Sequence, residues 1–111
     1  MAGGADLIME MGAKTALLDK AVQQLGVRGR AFAQAEHDYR VALSKRILEQ
    51  RAEGVPVTVI SDICRGDPAI AKLRMEKDIA EVTYKSAMEA IQSYKLQIRI
   101  LDAQIEREWK G

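Results

Sequence analysis

Apolar side chains return every seventh residue through the first half of the chain, at Met11, Leu18, Leu25, Phe32 and Tyr39. A second series at Ile8, Val22 and Leu43 fills in the alternating spacing of three and four that keeps residues on one face of a helix. Thr15, Gly29 and Glu36 fall on that second series and weaken it. The second half carries a cleaner stripe: Ile70, Leu73, Ala80, Tyr84, Ala87, Ile91, Tyr94, Ile98, Leu101 and Ile105, interrupted by Lys77. The pattern predicts one helix over about 6–53 and another over about 68–109, with Asp67 as N-cap acceptor and Pro68 where a missing N–H costs nothing.

Between the two stripes lies a connector, 54–67. Gly54 is a natural helix stop. Thr58 or Ser61 suits the cap of a short helical turn ending at Gly66, with Ile60 and Ile63 plugging the end of the fold.

Two stripes joined by a short corner predict an all-α fold, a long antiparallel helical hairpin of coiled-coil type in one domain, 1–111. Facing residues of such a hairpin have position numbers of constant sum. A sum of 123 sets Leu18 against Ile105, Val22 against Leu101, Leu25 against Ile98, Phe32 against Ile91, Tyr39 against Tyr84, Leu43 against Ala80 and Gly29 against Tyr94. A slip of one heptad is the competing register. Apolar residues off the seam are numerous: Leu17, Ala21, Ala31, Ala35, Ala42, Ile47, Met88, Leu96 and Ile100. Two helices make a thin core, so this second stripe predicts a homodimer forming a four-helix assembly.

Charge changes the picture little. Residues 1–55 hold eight basic and seven acidic side chains, residues 56–111 nine of each, and the net charge is +1. No bulk field draws the chain to nucleic acid or anionic lipid. Arg28, Arg30, Arg40, Lys45, Arg46 and Arg51 give the first helix a basic tendency, but Asp38, Glu49 and Glu53 interrupt it and no aromatics interleave for base stacking. Nucleic-acid contact is therefore the less favoured reading. No apolar run reaches the roughly 20 residues of a membrane span. The first residues lack the basic start and apolar core of a signal peptide, and one cysteine, Cys64, excludes an internal disulfide. The expectation is a cytoplasmic protein.

Candidate chemistry is sparse. His37 has no metal-ligand type three or four residues away, where Ala33, Gln34, Arg40 and Val41 stand. Glu106 and Glu108 beside Trp109 read as a wet face. Cys64 next to Arg65 has no His or second Cys to make it catalytic. Arg65-Gly66-Asp67 spells an adhesion tripeptide but reads as helix stop and cap. Gly26 and Gly29 lie inside a helical pattern, not after a strand, so they form no phosphate loop. The expectation is no enzyme, no cofactor and no metal.

The stretch from Ile63 to Trp109 carries Gly66-Asp67 before its helix, Ala71-x-Leu73, Asp78-x-Ala80-Glu81 followed by Tyr84, then Lys95 and a closing Arg107-Glu108-Trp109. Upstream stands Ala35-x-x-x-Tyr39-x-x-Ala42. In these features the chain resembles small helical proteins encoded by bacteriophages and prophages. The resemblance implies an accessory protein of a mobile element. The favoured function is a non-enzymatic helical interaction or structural protein with an unidentified protein partner. The alternative is an accessory factor in phage DNA replication or recombination that contacts nucleic acid or inhibits a nuclease.

Overall fold

The computed structural model describes residues 3–110 and is all-α, with no strand among them. Helix α1 spans Gly4–Ala52, α2 spans Val57–Gly66 and α3 spans Pro68–Lys110. The connector is thus a ten-residue helix rather than a single turn. The chain divides into two units. One comprises residues 1–27 with 85–111, the other residues 28–84.

In the first unit α1 turns a narrow stripe inward: Leu7, Met11, Lys14, Leu18, Ala21 and Leu25 are buried or half-buried. Val22, expected on the seam, is 51% exposed, and Ile8 is exposed too. The heptad series through Met11, Leu18 and Leu25 pairs with Leu7, Lys14 and Ala21 instead, one residue earlier than expected. That shift also accounts for Thr15, which lies outside and donates its hydroxyl to the Met11 carbonyl at 2.9 Å. On α3, Ala87, Ile91 and Leu101 are buried, and Tyr94, Ile98 and Ile105 are half-buried.

In the second unit α1 and α3 run antiparallel, and four contacts set their register. A side-chain carbon at Gly29 would lie 3.2 Å from Tyr84 Cε1, so glycine here admits the tyrosine ring. The Phe32 and Tyr84 ring centroids are 6.0 Å apart. Lys77 Nζ lies 5.5 Å from the Tyr39 ring centroid. Arg46 Nε lies 3.2 Å from Asp67 Oδ2. The position sums are 113 to 116, so the register sits about one heptad from 123. Tyr39 meets Lys77 instead of Tyr84, Phe32 meets Tyr84 instead of Ile91, and Gly29 meets Tyr84 instead of Tyr94.

The cause lies in the corner. The expected register centred the bend in the connector. Instead α3 starts level with Arg46, six residues before α1 ends at Ala52. The last turns of α1 are left to α2, and Leu43, Ile47 and Arg51 share a groove with Val57, Ile60 and Cys64. Ile60 and Cys64, one turn apart, are the inward residues of α2, whereas Ile63 is exposed. α2 takes Pro56 as N-cap with no side-chain hydrogen bond, so neither Thr58 nor Ser61 caps it.

Local chemistry explains each boundary. α1 ends in a glycine motif: Gly54, with φ +80°, donates to the Arg51 carbonyl and Val55 to the Gln50 carbonyl, each at 3.1 Å. No atom crowds the site, so the demand is purely one of backbone angle. Gly54→Ala is expected to destabilise by about 1 kcal/mol, read as a lower denaturant midpoint with unchanged slope. α3 begins at Asp67, whose Oδ1 accepts from the N–H groups of Ala69 at 2.9 Å and Ile70 at 3.2 Å. Lys77, the interruption in the α3 stripe, keeps a half-buried stem while its ammonium sits near the Tyr39 ring and 3.1 Å from Asp78 Oδ1.

Candidate functional site: an apolar groove with an arginine rim

In the second unit a groove of about 880 Å³ opens where α1, α2 and α3 converge. Its floor is aliphatic. Leu43 and Ile47 come from α1, Ile60 and Cys64 from α2, and Ile70 from α3. These are the inward positions of three helices that meet at one corner.

One wall of it is a row of apolar side chains that nothing covers. Met75, Ile79 and Val82 on α3 are 53%, 58% and 64% exposed, and Val57 at the start of α2 is more exposed still. The spacing of four and three places the α3 residues on one helix face. That row lies beside the seam, next to Lys77, Ala80 and Tyr84, and is not among the heptad positions of the stripe. Its signal was present as the i, i+4, i+7 spacing of Met75, Ile79 and Val82.

Arg51, Arg65 and Arg74 line the same groove, one from each helix, against a single acid, Asp78. The Asp78 carboxylate is answered by Lys77 Nζ at 3.1 Å. Arg65 reaches Asp62 only at 3.9 Å, with both side chains largely exposed. Arg51 and Arg74 have no acidic partner among the described residues. The groove therefore presents an apolar floor with excess positive charge at its edge.

Behind it the corner is held by polar contacts. Arg46 stands between Glu49, with Nη1 to Oε2 at 3.3 Å, and Asp67. Its Nε faces Asp67 Oδ2 at ion-pair distance without the alignment of a hydrogen bond. Gln50, only 4% exposed, accepts from Arg46 Nη1 and Nη2 at 3.0 Å once its amide oxygen is turned toward them. The buried Gln50 amide thus pairs with the two Nη atoms of the half-buried guanidinium, while Nε keeps only its ion pair with Asp67.

The other residues singled out from sequence stay apart from this site. His37 is exposed, with Nδ1 3.3 Å from Asp38 Oδ1. Hydrogen bonds from Gln34 and then His37 hold the Asp38 carboxyl below its ordinary value. The contact belongs to the ionised carboxylate and is lost as pH falls through that lowered pKa. Glu106, Glu108 and Trp109 are exposed. Among the described residues, no group of three or more His, Cys, Asp or Glu is placed to hold a metal ion. Nor, among the described residues, is any helix long and apolar enough to cross a membrane.

Two of the six cations that gave α1 its basic tendency are engaged within the fold: Arg40 with Glu36 at 3.0 Å, and Arg46 at the corner. Of the off-seam apolar set, Ala21, Ala35, Ala42 and Ile47 are half-buried in the fold itself, while Leu17, Ala31, Met88, Leu96 and Ile100 remain exposed. No protein-family model, no curated protein and no solved structure matches this chain.

Proposed function

We propose that the protein is a non-enzymatic helical interaction protein that presents its helix faces to another protein and works as a homodimer. The observation that carries the reading is the uncovered apolar groove of residues 28–84, with Met75, Ile79 and Val82 more than half exposed. Exposed apolar surface gathered in one concavity has a free-energy cost in water that a partner removes. The resemblance in sequence supports reading the chain as an accessory factor of a bacteriophage or prophage, acting in the cytoplasm.

The dimer uses a different surface, the outer face of the unit that joins residues 1–27 to 85–111. Leu17, Met88, Leu96 and Ile100 are exposed there. Leu96 and Ile100 stand one turn apart on α3, so two copies meeting on this face build the four-helix, coiled-coil-like assembly. Light scattering of the purified protein at micromolar concentration is expected to give twice the mass of the chain. Leu96→Asp combined with Ile100→Asp is expected to give the single mass with unchanged helix content, since both positions are exposed within one chain. A wild-type protein that stays at the single mass contradicts the dimer.

A further inference from the structure

We propose that the groove between α2 and α3 is the docking site for an acidic amphipathic helix of another protein, held by its apolar stripe on the Met75–Ile79–Val82 row and by its carboxylates on Arg51, Arg65 and Arg74. This rests on the interaction reading and names the kind of partner.

The groove's α3 wall runs from Ile70 to Thr83, about 20 Å at 1.5 Å per residue, the length of roughly 14 residues of helix. An apolar wall with residues at i, i+4 and i+7 matches the repeat of a helix laid along it. The rim decides the sign of the partner. Of the three arginines only Arg65 has an acid within ion-pair reach, exposed Asp62 at 3.9 Å, and the one acid lining the groove is paired with Lys77, so carboxylates flanking an apolar stripe find cations to pair with here.

The same rim argues against a second copy in this place. In a two-fold contact the patch faces its own copy, which would gather two sets of three arginines in one interface. A nucleic-acid strand would answer the arginines but leave the aliphatic floor uncovered. An acidic amphipathic helix answers both.

The test uses the full-length protein and two fluorescent helical peptides of about 14 residues. Both carry leucine at i, i+4, i+7 and i+11. One has glutamate at the flanking positions and the other lysine. Anisotropy at low salt is expected to show the glutamate peptide binding at least about tenfold more tightly, a preference that shrinks as added salt screens the rim. Arg65→Glu with Arg74→Glu is expected to reverse the preference. Ile79→Asp, at an exposed position, is expected to abolish binding of the glutamate peptide without changing the melting temperature.

Equal binding of the two peptides overturns the proposal, as does binding that Ile79→Asp leaves intact. A single-stranded oligonucleotide that displaces the glutamate peptide overturns it in favour of nucleic acid. A wild-type dimer that Ile79→Asp converts to monomer assigns the groove to a second copy instead. If neither peptide binds but the protein still dimerises through Leu96 and Ile100, the acidic-helix assignment fails and the interaction reading stands. If neither peptide binds and the protein is monomeric, both fail.

Discussion

Ile91→Asp is expected to abolish cooperative thermal unfolding. Ile91 is 6% exposed in the middle of the α3 stripe, with Ala87 buried one turn before it and Leu101 buried further along. Removing the isoleucine gives up about 2 kcal/mol of apolar burial. Placing an unpaired carboxylate there adds several more, and the group escapes only by protonating or by opening the structure. A domain of this size has on the order of 5–15 kcal/mol of stability in total, so a loss of about 5 kcal/mol or more removes a large share of it. The expected result is a broad, shallow melt by circular dichroism. Val41→Asp is the control: Val41 is 55% exposed on α1, so the same new charge is expected to change stability by no more than about 0.5 kcal/mol. If Ile91→Asp melts like wild type, Ile91 is not core and the stripe is misread.

The second large effect lies at the corner. Asp67 does two things with its two oxygens: Oδ1 caps α3 through Ala69 and Ile70, and Oδ2 pairs with half-buried Arg46. Asp67→Ala removes both and leaves the guanidinium facing nothing from α3. The cap accounts for about 1 kcal/mol and the pair for about another, given that Arg46 keeps some contact with water. A loss of about 2 kcal/mol is expected, measured by urea unfolding. Asp67→Asn separates the two contributions, because asparagine is as good a cap but carries no charge. It is expected to lose only about half as much. If Asp67→Asn is as damaging as Asp67→Ala, the cap contributes nothing and the ion pair carries the corner.

Both effects were partly legible in the sequence, and unequally. The α3 stripe could be read residue by residue, because Ile70 to Ile105 follow a spacing that few alternatives share, and the Asp67-Pro68 start is a strong local signal. The α1 partner series lies one residue earlier than the apolar spacing predicts. Its positions Lys14, Ala21, Arg28 and Ala35 are too short or too polar to stand out against Ile8 and Val22. Register depended on how the connector folds, and that in turn depended on Cys64. Cys64, rather than Ile63, faces inward with Ile60, and this sets α2 as a packed helix beside the end of α1. Composition does not reveal such a choice, since Ile63 is the more apolar candidate, yet it is Cys64 that lines the groove with Leu43 and Ile47. The groove follows from the same packing. Met75, Ile79 and Val82 could be seen as a row, but their exposure is a property of how α1, α2 and α3 meet.

Everything built on residues 28–84 depends on Lys77 lying level with Tyr39. The direct measurement is oxidative cross-linking in a Cys64→Ala background. One heptad is about 10 Å along a helix, beyond the roughly 7 Å that a disulfide can bridge between backbones. Tyr39→Cys with Lys77→Cys is expected to form an intramolecular disulfide rapidly and in high yield, and Tyr39→Cys with Tyr84→Cys is expected not to. Efficient linkage of 39 to 84, with none between 39 and 77, would contradict the antiparallel register on which the corner and its groove rest.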